Sequence, residues 1–191
     1  MSSIQVQAYK AVLKKKEALI ISQYINKNFG IKLPEHKRIM LQGRLINRLV
    51  KLNFLSFEEY TNYVFSEEGE KKELHHMIDA ISTNKTEFYR EAVHFDYLSN
   101  AVIPEFIKAK ESSTLNIWSA ACSSGEEVYT IAMEVDNKLS LHPDLDFKIL
   151  GTDISTRMLA RAQKAIYLSS DVDSVDIKFK QRYLLKSKDS D

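Results

Sequence analysis

Apolar residues in the first eighty positions recur at helical intervals. In KEALIISQYINKNFG, residues 16–30, Leu19, Ile20, Tyr24, Ile25 and Phe29 keep close to the helical period, and the closing Gly30 suits a C-cap. Pro34 opens a second predicted helix through EHKRIMLQGRLINRLVKLN, where Leu41, Leu45 and Leu49 repeat every fourth residue. SFEEYTNYVFS starts with Ser56 as N-cap and sets Glu59 three residues on, a capping-box pattern. EKKELHHMIDAIS, residues 70–82, makes a fourth helix. No internal repeat or low-complexity segment interrupts this pattern.

After residue 110 the rhythm changes. TLNIWSAA (114–121) is a compact apolar run, which predicts a strand buried on both faces. GEEVYTIAMEVDNKL follows as a helix with acids in its first turn. FKILGTDIS (147–155) predicts a second buried strand, and STRMLARAQKAIY a second helix. Strand, helix, strand and helix at this spacing form a βαβ unit, the start of a parallel sheet. Ahead of it, a helix is expected over about residues 92–109, with Pro104 kinking or interrupting it. The fold class is therefore α/β: an all-helical domain over 1–82, then an incomplete Rossmann-like domain over 83–191. It reads as incomplete because a nucleotide-binding doubly wound sheet usually has about five or more strands. Only two are legible, and the terminal LLKSKDSD is charged, with no apolar strand in it.

Composition narrows the function classes. The 191 residues suffice for one ordinary domain or two small ones, and 44% hydrophobic with 28% charged residues is a globular balance. A net charge of +1 argues against bulk attraction to nucleic acid or to a membrane surface. The single cysteine, Cys122, excludes an internal disulfide and a cysteine-rich zinc site. No apolar run approaches the ~20 residues of a bilayer span, and the N-terminus lacks the apolar core of a signal peptide. A cytoplasmic location follows as the expectation, with no nucleic acid and no membrane insertion.

Candidate chemistry lies in WSAACSSGEE and GTDIS. The first is a strand end, a loop of small residues and a helix start near Gly125. An open α/β sheet binds nucleotides at that position, because small side chains admit the ligand and free helix N–H groups face it. Asp153 closes the second strand, where a carboxylate can accept from ribose hydroxyls. The loop has one glycine and no G-x-G-x-x-G fingerprint. Glu126 and Glu127 at the helix start would repel a pyrophosphate but suit a cation. That favours S-adenosylmethionine, whose sulfonium is positive, over a dinucleotide.

TNKTEFYRE (83–91), WSAACSSGEE and GTDIS…ARAQKAIY together resemble the chemotaxis receptor methyltransferases, the CheR family of protein-glutamate O-methyltransferases. The resemblance implies a helical domain joined to a Rossmann-like methyltransferase domain. It implies S-adenosylmethionine as cofactor, S-adenosylhomocysteine as product, and the cytoplasmic methylation helices of chemoreceptors as partners. Carried over by position, it assigns Asn84, Thr86 and Arg90 to the methionine end of the cofactor and the reaction centre. Arg90 is the candidate catalytic residue, Glu127 an acidic cofactor contact and Asp153 the ribose acid. Phe88 is expected to pack inward and Tyr89 to line the pocket. The family's later strands, an asparagine near the adenine and an Asn-Arg pair with a nearby tyrosine find no match here. The expectation is a fragment, or a truncated relative that does not sustain methyl transfer alone.

Other features have plainer readings. Cys122 has no nearby histidine in sequence and reads as a small loop residue; His75 and His76 diverge on a helix surface and make a poor metal pair. Lys37, Arg44, Arg48 and Lys51 fall on one face of the second helix, either as a solvated face or as a docking stripe for an acidic helical partner. Two rival functions stay open at this level. One is a non-catalytic receptor- or partner-binding module with a vestigial cofactor site; the other is a methyltransferase for a small acid.

Overall fold

The computed structural model describes residues 3–109 and 112–187. Contacts group into two compact units, Met1–Thr83 and Asn84–Asp191.

The first unit is helical. After α1 (Ser3–Ala8) comes α2 (Lys15–Phe29), which ends where Gly30 takes a left-handed conformation at φ 70°. A short 3₁₀ turn (Glu35–Lys37) leads into α3 (Arg38–Leu52), closed by Asn53 in the same left-handed region. Ser56 caps α4 (Phe57–Val64): its hydroxyl accepts from Glu59 N–H at 3.2 Å, while the Glu59 carboxylate accepts from Leu55 N–H at 3.0 Å. The periodic leucines of α3 meet Ile21, Ile25, Phe57, Tyr60, Val64 and Met77 in one buried core.

The expected fourth helix over 70–82 is two helices, α5 (Glu67–Lys72) and α6 (Leu74–Ile81), parted at Glu73. Two local causes account for this. Ser66 caps α5 early by accepting from Gly69 N–H at 3.2 Å. Gly69 then presses so close to the end of α4 that a Cβ there would lie 1.8 Å from the Tyr63 carbonyl oxygen.

A second correction concerns the basic stripe. Arg48 is not a solvated charge: its guanidinium donates to both carboxylate oxygens of Glu73, at 2.8 and 2.5 Å, and Tyr60 Oη donates to the same carboxylate at 3.0 Å. The side chains of Arg48 and Glu73 are only 15% and 2% exposed. Arg44 donates to the carbonyls of Ile81 and Ser82 and to the Thr83 hydroxyl, closing the end of α6. A helix face read from sequence cannot reveal that a neighbouring helix supplies the acceptors. Lys37 and Lys51 remain exposed.

The second unit begins with the motif stretch, then α7 (Val93–Tyr97), a π-turn (Leu98–Val102) and α8 (Ile103–Ala109). The interruption foreseen at Pro104 is this wide turn, which lies directly before it. Strand β1 (Thr114–Ala120) pairs in parallel with β2 (Asp146–Thr152), and α9 (Glu126–Leu139) makes the crossover. Next come α10 (Thr156–Lys164), a 3₁₀ turn (Ser169–Val172) and α11 (Ile177–Tyr183), an element the sequence pattern does not suggest. Of the charged tail, residues 188–191 lie outside the described residues.

The strands are not buried on both faces. Leu115, Ile117, Phe147 and Ile149 pack with Ile131, Val135 and Leu139 of α9 and with Phe95 and Ile103. On the opposite face, the paired Trp118 and Leu150 are 68% and 63% exposed. Parallel strands are hydrophobic on both sides when helices cover both sides; among the described residues, one side is covered.

Candidate functional site

Strand β1 delivers the chain into a loop, Ala121–Gly125, at the carboxyl end of the parallel pair. Cys122 N–H donates to Thr152 O at 2.9 Å, which extends the pairing one step beyond the sheet. The loop then turns sharply: Ala121, Ser123 and Gly125 have φ of 62°, 48° and 97°. Left-handed geometry at two residues with a Cβ is strain, held only because surrounding contacts dictate it. Gly125 meets a further demand of space. A Cβ there would lie 3.0 Å from both Ala162 Cβ and Tyr167 Oη.

Three contacts fix the loop. Ser123 N–H donates to Asp153 Oδ2 at 2.8 Å, Tyr167 Oη donates to Ser124 O at 2.7 Å, and Ser123 Oγ donates to Asn84 O at 3.2 Å. The Asn84 bond joins the loop to the motif stretch 84–91. That stretch is bent as well, with positive φ at Tyr89 (56°) and Glu91 (57°). Among the described residues, two segments with positive φ at non-glycine residues therefore meet at one strand end.

Each residue assigned from sequence has a definite place. Asp153 bridges the loop and α10: besides Ser123, its Oδ1 accepts from Ser155 N–H at 2.8 Å, and Ser155 in turn caps α10 through Met158 N–H. Glu127 is exposed and accepts from Ser119 Oγ at 2.7 Å. Asn84 and Thr86 line a cavity of about 480 Å³ in this unit. Arg90, the candidate catalytic residue, is exposed and donates to Lys85 O at 2.8 Å; Arg90, Glu127 and Asp153 are not among the residues lining that cavity. Phe88 is buried against Met133 and Val175, as its apolar ring requires. Tyr89 turns away from the cavity, which corrects the expectation that it lines it. Its ring packs with Phe95 and Phe179, and its hydroxyl donates to Glu134 at 3.0 Å. That carboxylate is half-buried and also accepts from Ser99 Oγ at 2.8 Å.

The cavity also has walls to which the resemblance assigns no residue role. Glu87 joins Asn84 and Thr86 on one side, and Ser124 and Glu126 come from the loop and the first turn of α9. Glu126, to which the resemblance assigns no contact, is 6% exposed, and Ser124 Oγ donates to its carboxylate at 2.8 Å. The remaining wall is Arg161 of α10 and the turn bearing Asp171 and Asp173. No residue pattern marks that turn; it arrives through Ser174 Oγ, which donates to Phe88 O at 2.8 Å across 86 positions of sequence.

Carboxylates dominate the cavity and shape its surroundings. Burial, reinforced by the Glu126 carboxylate, pushes the Tyr167 phenol well above its ordinary range. Burial also raises the Cys122 thiol, with Asp153 adding to the effect. A neutral thiol at 3% exposure under the loop is a packing group and a poor nucleophile.

Comparisons with known proteins agree on the two segments. Residues 17–82 match the all-alpha domain of CheR methyltransferases, and residues 84–191 match the CheR methyltransferase SAM binding domain. A chemotaxis protein methyltransferase of Borreliella burgdorferi is 39% identical over 182 residues, 93% of this chain and 64% of the relative. That of Escherichia coli K12 is 35% identical over 166 residues, 87% of this chain and 55% of the relative. A probable chemotaxis protein methyltransferase of Rhizobium etli is 39% identical over 150 residues, 76% of this chain and 54% of the relative. The chain thus spans between about half and two thirds of the length of these relatives.

Proposed function

The chain belongs to the CheR methyltransferase family, and from that premise we propose its chemistry. Residues 84–191 bind S-adenosylmethionine, and the protein carries its methyl group to glutamate side chains on the cytoplasmic methylation helices of chemoreceptors. A cytoplasmic setting goes with those partners; among the described residues no helix is long and apolar enough to cross a membrane. The observation that carries this reading is the strained Ala121–Gly125 loop, tied to Asn84 on one side and Asp153 on the other.

The donor set fits the cofactor. Each Asp153 oxygen accepts one backbone N–H, which leaves each a lone pair for a ribose hydroxyl. Glu127 uses Oε1 toward Ser119, and Oε2 remains for the same sugar. Glu87 and Glu126 give the cavity the negative potential that a cationic ligand requires. When bound, S-adenosylmethionine supplies a methyl carbon made electrophilic by its sulfonium.

The acceptor carboxylate, with an ordinary pKa of about 4.3, is ionised at neutral pH. It forms the new O–C bond as the S–C electron pair leaves to sulfur, so no proton moves and no base is needed. The protein's task is alignment and removal of water from charges that cancel as the methyl moves. Arg90 takes the role of orienting the acceptor by exchanging the Lys85 carbonyl for a carboxylate, a better partner for a guanidinium.

Calorimetry with S-adenosylhomocysteine tests the cofactor reading. Asp153→Ala should weaken binding by about 1–3 kcal/mol, the range for charge-assisted hydrogen bonds. Methyl-labelled cofactor and a glutamate-bearing receptor fragment test the transfer, through label in base-labile esters. Absence of any cofactor binding would overturn the proposal.

A further inference from the structure

Among the described residues lining the cavity, Arg161 is the one cation, and none of the four carboxylates there forms an ion pair with it. Among the described residues it has no ion-pair partner, although Glu87, Glu126, Asp171 and Asp173 line the same space. Glu126 is instead occupied by Ser124, and Asp171 accepts from Leu168 N–H at 3.1 Å.

Its backbone is held firmly. Ser155 caps α10 from the Asp153 side, and Tyr129 Oη donates at 2.7 Å to the carbonyl of Ala162, the next residue. The Ala162 methyl also lies within 3.0 Å of where a Gly125 Cβ would sit, so this turn of α10 rests directly on the strained loop. The exposed Arg161 side chain shares the lining of the cavity with Asn84, Ser124, Ser170 and Ser174. The five N–H donors of a guanidinium match a carboxylate in bidentate geometry.

We propose that Arg161 anchors a ligand carboxylate in this cavity, a role separate from that of Arg90. The proposal rests on the cofactor reading above. It names one chemistry with two sources: the amino-acid carboxylate of the cofactor, or the side chain of the acceptor glutamate.

The full chain, Arg161→Gln and Arg161→Lys are titrated calorimetrically with S-adenosylhomocysteine and with its carboxyl methyl ester. If the cofactor supplies the carboxylate, the parent prefers the free acid by about tenfold or more. Arg161→Gln then loses that preference, and Arg161→Lys recovers part of it. If the acceptor supplies it, cofactor affinity is unchanged in Arg161→Gln. The parent's preference for a labelled glutamate-bearing helical peptide over its glutamine counterpart, read by anisotropy, disappears instead.

A variant that keeps both preferences overturns the proposal. Arg161 is exposed and unpaired, so equal melting temperatures for parent and variants are expected and confirm that the fold is not the cause. A parent that binds neither cofactor form overturns the cofactor reading itself. The peptide arm then decides Arg161 alone.

Discussion

The helical unit and the α/β unit handle polar groups and strain in opposite ways. In the helical unit the buried acid Glu73 is answered inside the unit, by Arg48 and Tyr60, and left-handed residues serve as helix ends at Gly30 and Asn53. In the α/β unit, positive φ angles fall mostly away from helix ends, at Tyr89, Glu91, Ala121 and Ser123, and they gather around one strand end. Carboxylates there line open space instead of meeting a cation. The closure in the helical unit centres on Glu73, since Glu17, Thr61 and Asp79 each keep a buried oxygen with no hydrogen-bond partner there among the described residues. What sets the α/β unit apart is strain gathered beside a cavity whose carboxylates have no ion-pair partner among the described residues, the arrangement of a site that receives something from outside.

The strongest way to break this contrast is to open the helical unit's closed network. Arg48→Ala leaves Glu73 buried without its cation and should cost about 3–5 kcal/mol. Urea unfolding followed by far-ultraviolet circular dichroism should show the loss; a midpoint within error of the parent would mean the network contributes little. Gly69→Ala attacks the same unit through shape, since the new Cβ meets backbone and no side chain can yield. A loss of about 2–3 kcal/mol is expected by comparison with other overpacked sites.

Alkali should strain both units less severely. Burial first, then a neighbouring carboxylate, raises the phenols of Tyr60 (beside Glu73), Tyr89 (beside Glu134) and Tyr167 (beside Glu126). Tyr183 is pushed up to about 12 by burial and by Asp136. These phenols stay protonated in the fold, while the unfolded chain releases its protons near pH ~10. Stability is therefore fully present below that pH and falls as the pH rises past it. A urea midpoint that holds from pH 7 to 9 and drops above 10 is the expected result. The α/β unit, with three such phenols and Cys122, should yield first.

The gentlest test sharpens the comparison. Ala121→Gly relieves a left-handed residue in the loop and should raise stability by at most about 1 kcal/mol, because glycine also loses more entropy on folding. The same exchange at Asn53, a helix end that suits asparagine, should bring no gain. Equal responses at the two positions would remove the claim that strain is concentrated at the site.

Much of the fold was legible because its causes are local. The period of Leu41, Leu45 and Leu49, the caps at Gly30 and Ser56, and the alternation of apolar strands with an amphipathic helix need only neighbours in sequence. The candidate site was legible where chemistry sits in a contiguous motif: the small-residue loop, the acid closing β2, and the stretch from Asn84 to Arg90. Sequence by itself determined these elements, since propensity, capping and spacing act within a few residues.

Tertiary structure decided the partners. Whether Arg48 faces solvent or Glu73 depends on a helix 25 positions away, and whether Glu126 or Glu127 reaches the cavity depends on how α9 leaves a strained loop. The turn bearing Asp171 and Asp173 joins the cavity only because Ser174 bonds to the Phe88 carbonyl. The same holds for Arg161, which lies in a quoted motif without an assigned role and whose place is set by Tyr129 and Gly125 against α10. Contacts between distant segments are fixed by packing and by the need to pair buried polar groups. No residue carries that information until the chain has closed on itself.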